Sequence, residues 1–146
     1  MAGHCKFNVF KDVNSLEIFF RSTIENIDKA DTETRRFLNE MELDCESFAI
    51  CLLMREGLNN AVKHGHFFDS DKMVRYSLKV RYQSLIMEIE DHGEGFDWRA
   101  MRKRQMPADA EHGRGFAIME QYSSEFRYNY KGNKLILKKK IKKDDF

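Results

Sequence analysis

Residues 56–65 read EGLNNAVKHG and close a long run of helical periodicity. On a helix, Glu56, Asn60 and Lys63 project from one stripe, because they are about one and two turns apart. A carboxylate can act as a base, a carboxamide oxygen suits Mg²⁺, and an ammonium group suits phosphate. A solvated helix face with a Glu–Asn pair gives the same pattern, so this stretch alone leaves both interpretations open.

Residues 91–96 read DHGEGF and follow directly on a predicted strand. The Asp91 carboxylate can therefore lie at the edge of a sheet, and Gly93 and Gly95 permit close approach of the backbone to a ligand. An EF-hand is excluded, because Gly95 would occupy a calcium-ligand position. By itself the segment is also compatible with an ordinary loop.

Residues 113–116 read GRGF and begin a predicted helix. The backbone N–H groups and the positive dipole end at such a start form an anion site. A plain glycine turn before a helix explains this segment equally well when it is taken alone.

In this order the three segments resemble the N, G1 and G2 boxes of the GHKL ATPase superfamily, over residues 56–118. The resemblance implies the Bergerat fold, with ATP and Mg²⁺ as cofactors. It also implies that Asp91 receives the adenine amino group, that Asn60 ligates Mg²⁺, and that the third segment wraps the phosphates. The residues expected to bind ATP are Asn60, Lys63, Asp91, Gly93, Gly95, Phe96, Gly113, Arg114, Gly115 and Phe116.

Residues 98–112 form a long, charged segment without clear periodicity. We expect this segment to be a lid over the nucleotide. Arg99, Arg102 and Arg104 of this segment, together with Arg114, are candidates for additional phosphate contacts. Solvated side chains are the better explanation for each of these four arginines.

Within the superfamily, the sequence is similar to the anti-sigma-factor serine kinases, both in residues 56–65 and in the run EHGRGFAIM at 111–119. The 146 residues leave no room for the phosphoacceptor hairpin of a histidine kinase or for the further domains of chaperones and gyrases. The similarity implies that Glu56 is the general base for a serine of a STAS-domain anti-anti-sigma factor. It further implies that the protein holds a sigma factor and forms a homodimer.

One position departs from the superfamily pattern. Many members carry Gly-Thr before the last strand, whereas this chain has Gly132 followed by Asn133. The resemblance therefore supports no role for a threonine at this position.

Three other functions are compatible with the sequence. The chain could use ATP only to gate protein binding, with little or no phosphotransfer, although a pure binder would not need the carboxylate of Glu56. It could be a kinase that acts on a STAS protein with a non-transcriptional output. The glycine motifs could also be coincidental in a structural or nucleic-acid-binding protein.

The composition indicates a folded protein without a general affinity for nucleic acid. Hydrophobic residues make up 42% of the chain, which indicates a folded globule, and the length of 146 residues predicts one domain over residues 1–146. Lys and Arg (25) nearly balance Asp and Glu (24), which disfavours non-specific binding to nucleic acid. The lysine run that begins at Lys138 is interpreted as a solvated strand edge or tail.

Cysteine usage and hydropathy indicate a cytoplasmic protein without a membrane partner. Cys5, Cys45 and Cys51 have no CxxC or Cys/His spacing, so we expect reduced thiols and no zinc site. No apolar stretch approaches the ~18 residues of a membrane span, and the first residues lack a signal-peptide pattern.

The pattern along the chain predicts an α+β fold, a two-layer sandwich in which helices cover one face of a mostly antiparallel mixed sheet of about five strands. Asn14 followed by Glu17 fits a capping box, which predicts a helix that continues to Ile27. Residues 31–42 are charged and are interpreted as a linker with a short helical part. Further helices are expected at residues 44–64 and 114–122, and strands at 5–10, 73–82, 84–90, 125–130 and 134–141.

Overall fold

The computed structural model describes residues 7–21, 23–61, 72–91 and 114–141. The strands in these ranges are β1 Phe7–Asp12, β2 Ser15–Arg21, β3 Met73–Arg81, β4 Ser84–Asp91, β5 Glu125–Tyr128 and β6 Lys134–Lys140. The helices are α1 Ile24–Glu40, α2 Ser47–Asn60 and α3 Arg114–Tyr122, with a short 3-10 helix, Asp44–Glu46, before α2. None of these helices has the length and apolar content that a membrane span requires.

The described strands form one sheet in the order β1-β2-β3-β4-β6-β5, and every pairing between them is antiparallel. The predicted α+β sandwich is confirmed, with six strands in the described ranges rather than about five. Because β6 lies between β4 and β5, Lys138, Lys139 and Lys140 do not form a strand edge, and the rest of the lysine run lies outside the described residues. Lys139, on β6, makes an ion pair with the buried Glu46 of the 3-10 helix.

The extra strand is β2, which lies where the sequence predicted a helix. Leu16, Ile18 and Phe20 are fully buried, and the residues between them are only partly buried, so the true period is two. β2 pairs with both β1 and β3, with Leu16 opposite Leu78. The helix reading failed because the bulky residues also fit a helical spacing. The residue taken as its cap, Asn14, instead donates its side-chain amide to the Val80 carbonyl oxygen at 3.2 Å.

Helix α1 begins later than predicted and includes the segment interpreted as a linker. The Thr23 hydroxyl oxygen caps the helix by accepting from the Asn26 backbone N–H at 3.1 Å. Most charged residues of the segment are exposed, whereas Asp31 is buried and pairs with Arg35 one turn later and with Arg55 of α2. The buried side is formed by Ile27, Ala30, Thr34, Phe37 and Leu38, at helical spacing.

Helix α2 is confirmed. The buried positions are Ile50, Cys51, Leu53, Met54, Gly57 and Leu58. Phe48 is 66% exposed and meets Tyr122 of α3 edge to face. The predicted continuation through residues 62–64 lies outside the described residues.

Gly57 allows α2 to lie very close to the sheet. A methyl group added at its Cα would be 2.5 Å from Cδ1 of Ile89 and 2.9 Å from Cδ2 of Leu135. These two side chains belong to β4 and β6 and are buried, so they have little space in which to move. The glycine therefore fixes the depth at which the helix carrying Glu56 and Asn60 packs.

Gly57→Ala should lower the free energy of unfolding by about 1–2 kcal/mol. Overpacking a core costs roughly 1–3 kcal/mol, and the better helix propensity of alanine returns up to about 1 kcal/mol. Urea denaturation measures the change, with Asn39→Ala on the exposed face of α1 as a control that should change stability little. A gain of about 1 kcal/mol in Gly57→Ala, as at an exposed helix glycine, would show that this packing is not tight.

The face of the sheet opposite the core carries a charged network. Arg75, at the centre of β3, bonds to Glu17 at 3.1 Å, to Glu88 at 2.6 Å and to Glu90 at 3.3 Å. The network joins three adjacent strands, and Lys134 of β6 extends it to Glu88. The helices cover the other, apolar face of the sheet. The described candidate catalytic and binding residues lie where α2 and α3 meet the ends of the strands.

Candidate functional site

The C-terminal end of α2 meets the last residue of β5. Asn60 donates its carboxamide N–H to the hydroxyl oxygen of Tyr128, with an N–O distance of 3.2 Å. Tyr128 is only 8% exposed, and its ring packs edge to face against Phe116 of α3 with centroids 6.2 Å apart. Two of the three sequence segments, the N box and the GRGF segment, thus meet at one tyrosine.

Burial and two carboxylates raise the pKa of the Tyr128 hydroxyl. Burial raises the pKa of Tyr128 well above its usual value, and the carboxylates of Asp91 and Glu56 raise it further, while the Asn60 hydrogen bond opposes the shift. Both carboxylates are therefore within electrostatic range of Tyr128. Asn60, Glu56 and Asp91 come from two separate segments of the sequence; Asn60 contacts Tyr128 directly, and the two carboxylates influence its hydroxyl through their charge.

Asp91 is the last residue of β4 and is only 4% exposed. Asn133 bonds to both backbone groups of Asp91, its N–H and its carbonyl oxygen. The Asp91 N–H donates to the Asn133 carbonyl oxygen at 2.9 Å, and Asn133 Nδ2 donates to the Asp91 carbonyl oxygen at 3.1 Å. These two hydrogen bonds fix the backbone of Asp91 at the end of β4.

The turn between β5 and β6 is organised by Asn129. Its Oδ1 accepts from the backbone N–H groups of Gly132, Asn133 and Lys134 at 2.8, 3.0 and 3.2 Å. Its Nδ2 donates to Asn133 Oδ1 at 2.7 Å, which directs the Asn133 amide nitrogen toward Asp91. Gly132 has φ of 83°, a conformation that glycine adopts without strain.

Tyr128 and Asn133 are the two residues near the site that the sequence did not predict. Asn133 carried a signal, since it stands where many superfamily members have threonine, and the structure gives it a contact to the Asp91 backbone. Tyr128 carried no comparable signal, because an aromatic residue at the end of a strand is common in any core.

The remaining predicted residues are placed only in part. Phe116 is described, and its ring is buried in the core against Phe126 and Tyr128 rather than open to a ligand. Arg114 and Gly115 form the first residues of α3, so the backbone there begins a helix as predicted. The positions outside the described residues are Lys63, Gly93, Gly95, Phe96, Gly113, the lid at 98–112 and its Arg99, Arg102 and Arg104.

The donor set fits a magnesium nucleotide. Mg²⁺ commonly keeps several waters and takes one or two protein oxygens together with substrate phosphates. Asn60 offers one such oxygen, because its nitrogen end is engaged by Tyr128 and its oxygen end points away from that bond. Glu56 lies one turn earlier on α2 and is partly buried, so its carboxylate can act near the same phosphates.

Comparison with known proteins agrees with this geometry. Residues 20–139 match the family described as histidine kinase-like ATPase domain. The chain is similar to the anti-sigma F factors of two Clostridium perfringens strains, SM101 and ATCC 13124. Each is 24% identical over 136 residues, which is 88% of this chain and 97% of the relative. These matches confirm the resemblance to GHKL ATPases and to anti-sigma-factor kinases.

Proposed function

Because the chain belongs to the histidine kinase-like ATPase family, we propose that it is a serine protein kinase of a partner-switching system. In this proposal it binds ATP with Mg²⁺, phosphorylates a STAS-domain anti-anti-sigma factor on serine, and sequesters a sigma factor. The observation that carries the proposal is the contact of Asn60 with the buried Tyr128 hydroxyl, with Glu56 one turn earlier on α2 and Asp91 buried at the end of β4. The similarity to anti-sigma F factors supports the choice of partners.

Asp91 is proposed to select the base. A carboxylate can accept a hydrogen bond from the exocyclic amine of adenine, whereas guanine has a carbonyl oxygen at the corresponding position. Selection requires that the carboxylate stay in place. The backbone of Asp91 is fixed by two hydrogen bonds, one to the backbone and one to the side chain of Asn133.

Glu56 is proposed to be the general base. In the transfer, the serine hydroxyl gives its proton to the Glu56 carboxylate, its oxygen bonds to the γ-phosphorus of ATP, and ADP leaves with the electrons of the broken bond. When bound, Mg²⁺ would neutralise charge on the phosphates. Glu56 and Asn60 lie one turn apart on α2, so the base and the proposed metal ligand share one rigid helix.

The direct test combines the protein with ATP, Mg²⁺ and the STAS-domain proteins of the same genome, and reads phosphoserine by mass spectrometry. We expect one of these STAS proteins to gain phosphoserine only when ATP and Mg²⁺ are both present. Replacing the modified serine with alanine in that partner is the control. If ATP binds but no STAS protein is phosphorylated, the chain is instead an ATP-gated binding protein.

Asn60→Ala should weaken ATP binding in the presence of Mg²⁺ by roughly ten-fold, with little loss in the absence of metal, because a hard oxygen ligand is removed. Calorimetry with a non-hydrolysable ATP analogue, in Mg²⁺ or in EDTA, measures the difference. Asn59→Ala is the matched control, since it removes a partly buried asparagine from the same turn of α2. Equal losses with and without Mg²⁺ in Asn60→Ala would indicate a packing role.

A further inference from the structure

A tyrosine at residue 128 is not required by packing alone. Its ring lies in an aromatic cluster with Phe116, where a phenylalanine would fill the same space. A buried hydroxyl is costly unless it is hydrogen-bonded, so the bonds of this hydroxyl matter. One of its partners is Asn60, the residue to which the proposed function assigns the metal.

In the structure the hydrogen bond to Tyr128 engages the nitrogen end of the Asn60 amide, which leaves the oxygen end for the site. The terminal torsion of an asparagine is broad and roughly two-fold, so packing alone does not distinguish the oxygen from the nitrogen. Because the nitrogen donates to Tyr128, the oxygen is directed away from β5. A cation can be ligated by this oxygen and not by the amide nitrogen.

We propose that Tyr128 is a positioning residue that turns the Asn60 carboxamide oxygen toward the metal-binding side of the nucleotide site. The inference rests on the proposed function, because it takes Asn60 as the Mg²⁺ ligand. Tyr128 acts through Asn60 and not by touching the nucleotide. Its effect is therefore on the metal-dependent part of ATP binding.

The surroundings of Tyr128 suit this role. Its backbone is fixed by pairing with Leu135 of β6, and the next residue, Asn129, organises the turn. The ring of Tyr128 is buried and packs against Phe116, which holds the hydroxyl oxygen beside Asn60.

The experiment removes only the hydroxyl, with Tyr128→Phe. Calorimetry with the non-hydrolysable ATP analogue should show the Mg²⁺-dependent gain in affinity reduced by roughly ten-fold, the scale on which residues behind a metal ligand act. Affinity in EDTA should stay at the wild-type value. Mn²⁺ bound with the same analogue and followed by electron paramagnetic resonance gives a second, activity-independent readout.

Tyr76→Phe is the matched control. Tyr76 is also buried, and its hydroxyl bonds to Thr34 of α1 at 2.7 Å, away from Asn60. This variant should lose stability and keep the full Mg²⁺-dependent gain, as expected for a hydroxyl with a purely structural role. A Tyr128→Phe variant that behaves like Tyr76→Phe would overturn the inference.

Asn60→Ala separates failure of the inference from failure of the proposed function. If Asn60→Ala loses the Mg²⁺-dependent gain and Tyr128→Phe keeps it, Asn60 binds the metal without help from Tyr128, and only the inference fails. If Asn60→Ala also keeps the gain, the proposed metal role fails, and the inference fails with it. If Tyr128→Phe does not fold, NMR of the side-chain amides in the wild-type protein tests the inference instead. An Asn60 amide as mobile as that of the exposed Asn39 would overturn the inference.

Discussion

Glu56→Gln should lower phosphotransfer to the STAS partner by roughly 10²–10⁴-fold, the usual range for loss of a general base. Glutamine keeps the shape and the hydrogen-bonding capacity of the side chain but cannot accept the serine proton. Binding of ATP and of the partners should stay nearly unchanged, because these interactions need the surface of the site and not the proton transfer. Single-turnover transfer of labelled phosphate measures the rate.

A matched control for this rate is Glu25→Gln, which removes an exposed carboxylate from the first turn of α1. It should transfer phosphate at the wild-type rate. Wild-type transfer by Glu56→Gln would exclude Glu56 as the base. Sigma-factor capture should survive in Glu56→Gln, so a pull-down in the same preparation shows whether binding and chemistry are separable.

Asp91→Asn should weaken ATP binding by about 1.5–3 kcal/mol, or roughly 10–150-fold in the dissociation constant. The substitution removes the charge-assisted acceptor and places an amide where the adenine amino group needs an oxygen. Calorimetry with the ATP analogue measures the loss. Binding of a GTP analogue should fall less, because guanine does not offer the amine that Asp91 accepts.

Asp44→Asn, on the exposed side of the 3-10 helix, is the control for Asp91→Asn and should bind ATP like the wild type. A wild-type dissociation constant in Asp91→Asn would remove this carboxylate from the adenine pocket. Circular dichroism and thermal unfolding should accompany both measurements, because Asp91 is buried at the end of β4.

The sequence predicted those helices and strands in which a single spacing of apolar residues, helical or alternating, dominates. The hairpin of β3 and β4 alternates cleanly, and its bounds were predicted to within one residue. Strand β2 was misread because Leu16, Phe19 and Phe20 fit a helical spacing, whereas the residues that are buried, Leu16, Ile18 and Phe20, alternate. Its pairing with β3, which lies more than 50 positions later, decides between the two and cannot be seen locally.

The sequence named candidate residues for the site but not the residues that support them. Glu56, Asn60 and Asp91 belong to motifs with a chemical rationale at fixed spacing. Tyr128 and Asn133 reach them only because β6 inserts between β4 and β5, an arrangement that no short stretch of sequence specifies. The structure is therefore needed to identify side chains that long-range topology brings to the site.

The late position of the β5–β6 hairpin has a consequence for how the protein matures. The hairpin bonds to Asn60 through Tyr128 and to Asp91 through Asn133, yet ribosomes synthesise it after every other described element. A nascent chain that ends before residue 125 would carry the motif residues without these two bonds. Nucleotide affinity should consequently rise late in biogenesis, which would keep unfinished chains from competing for partners in the cell.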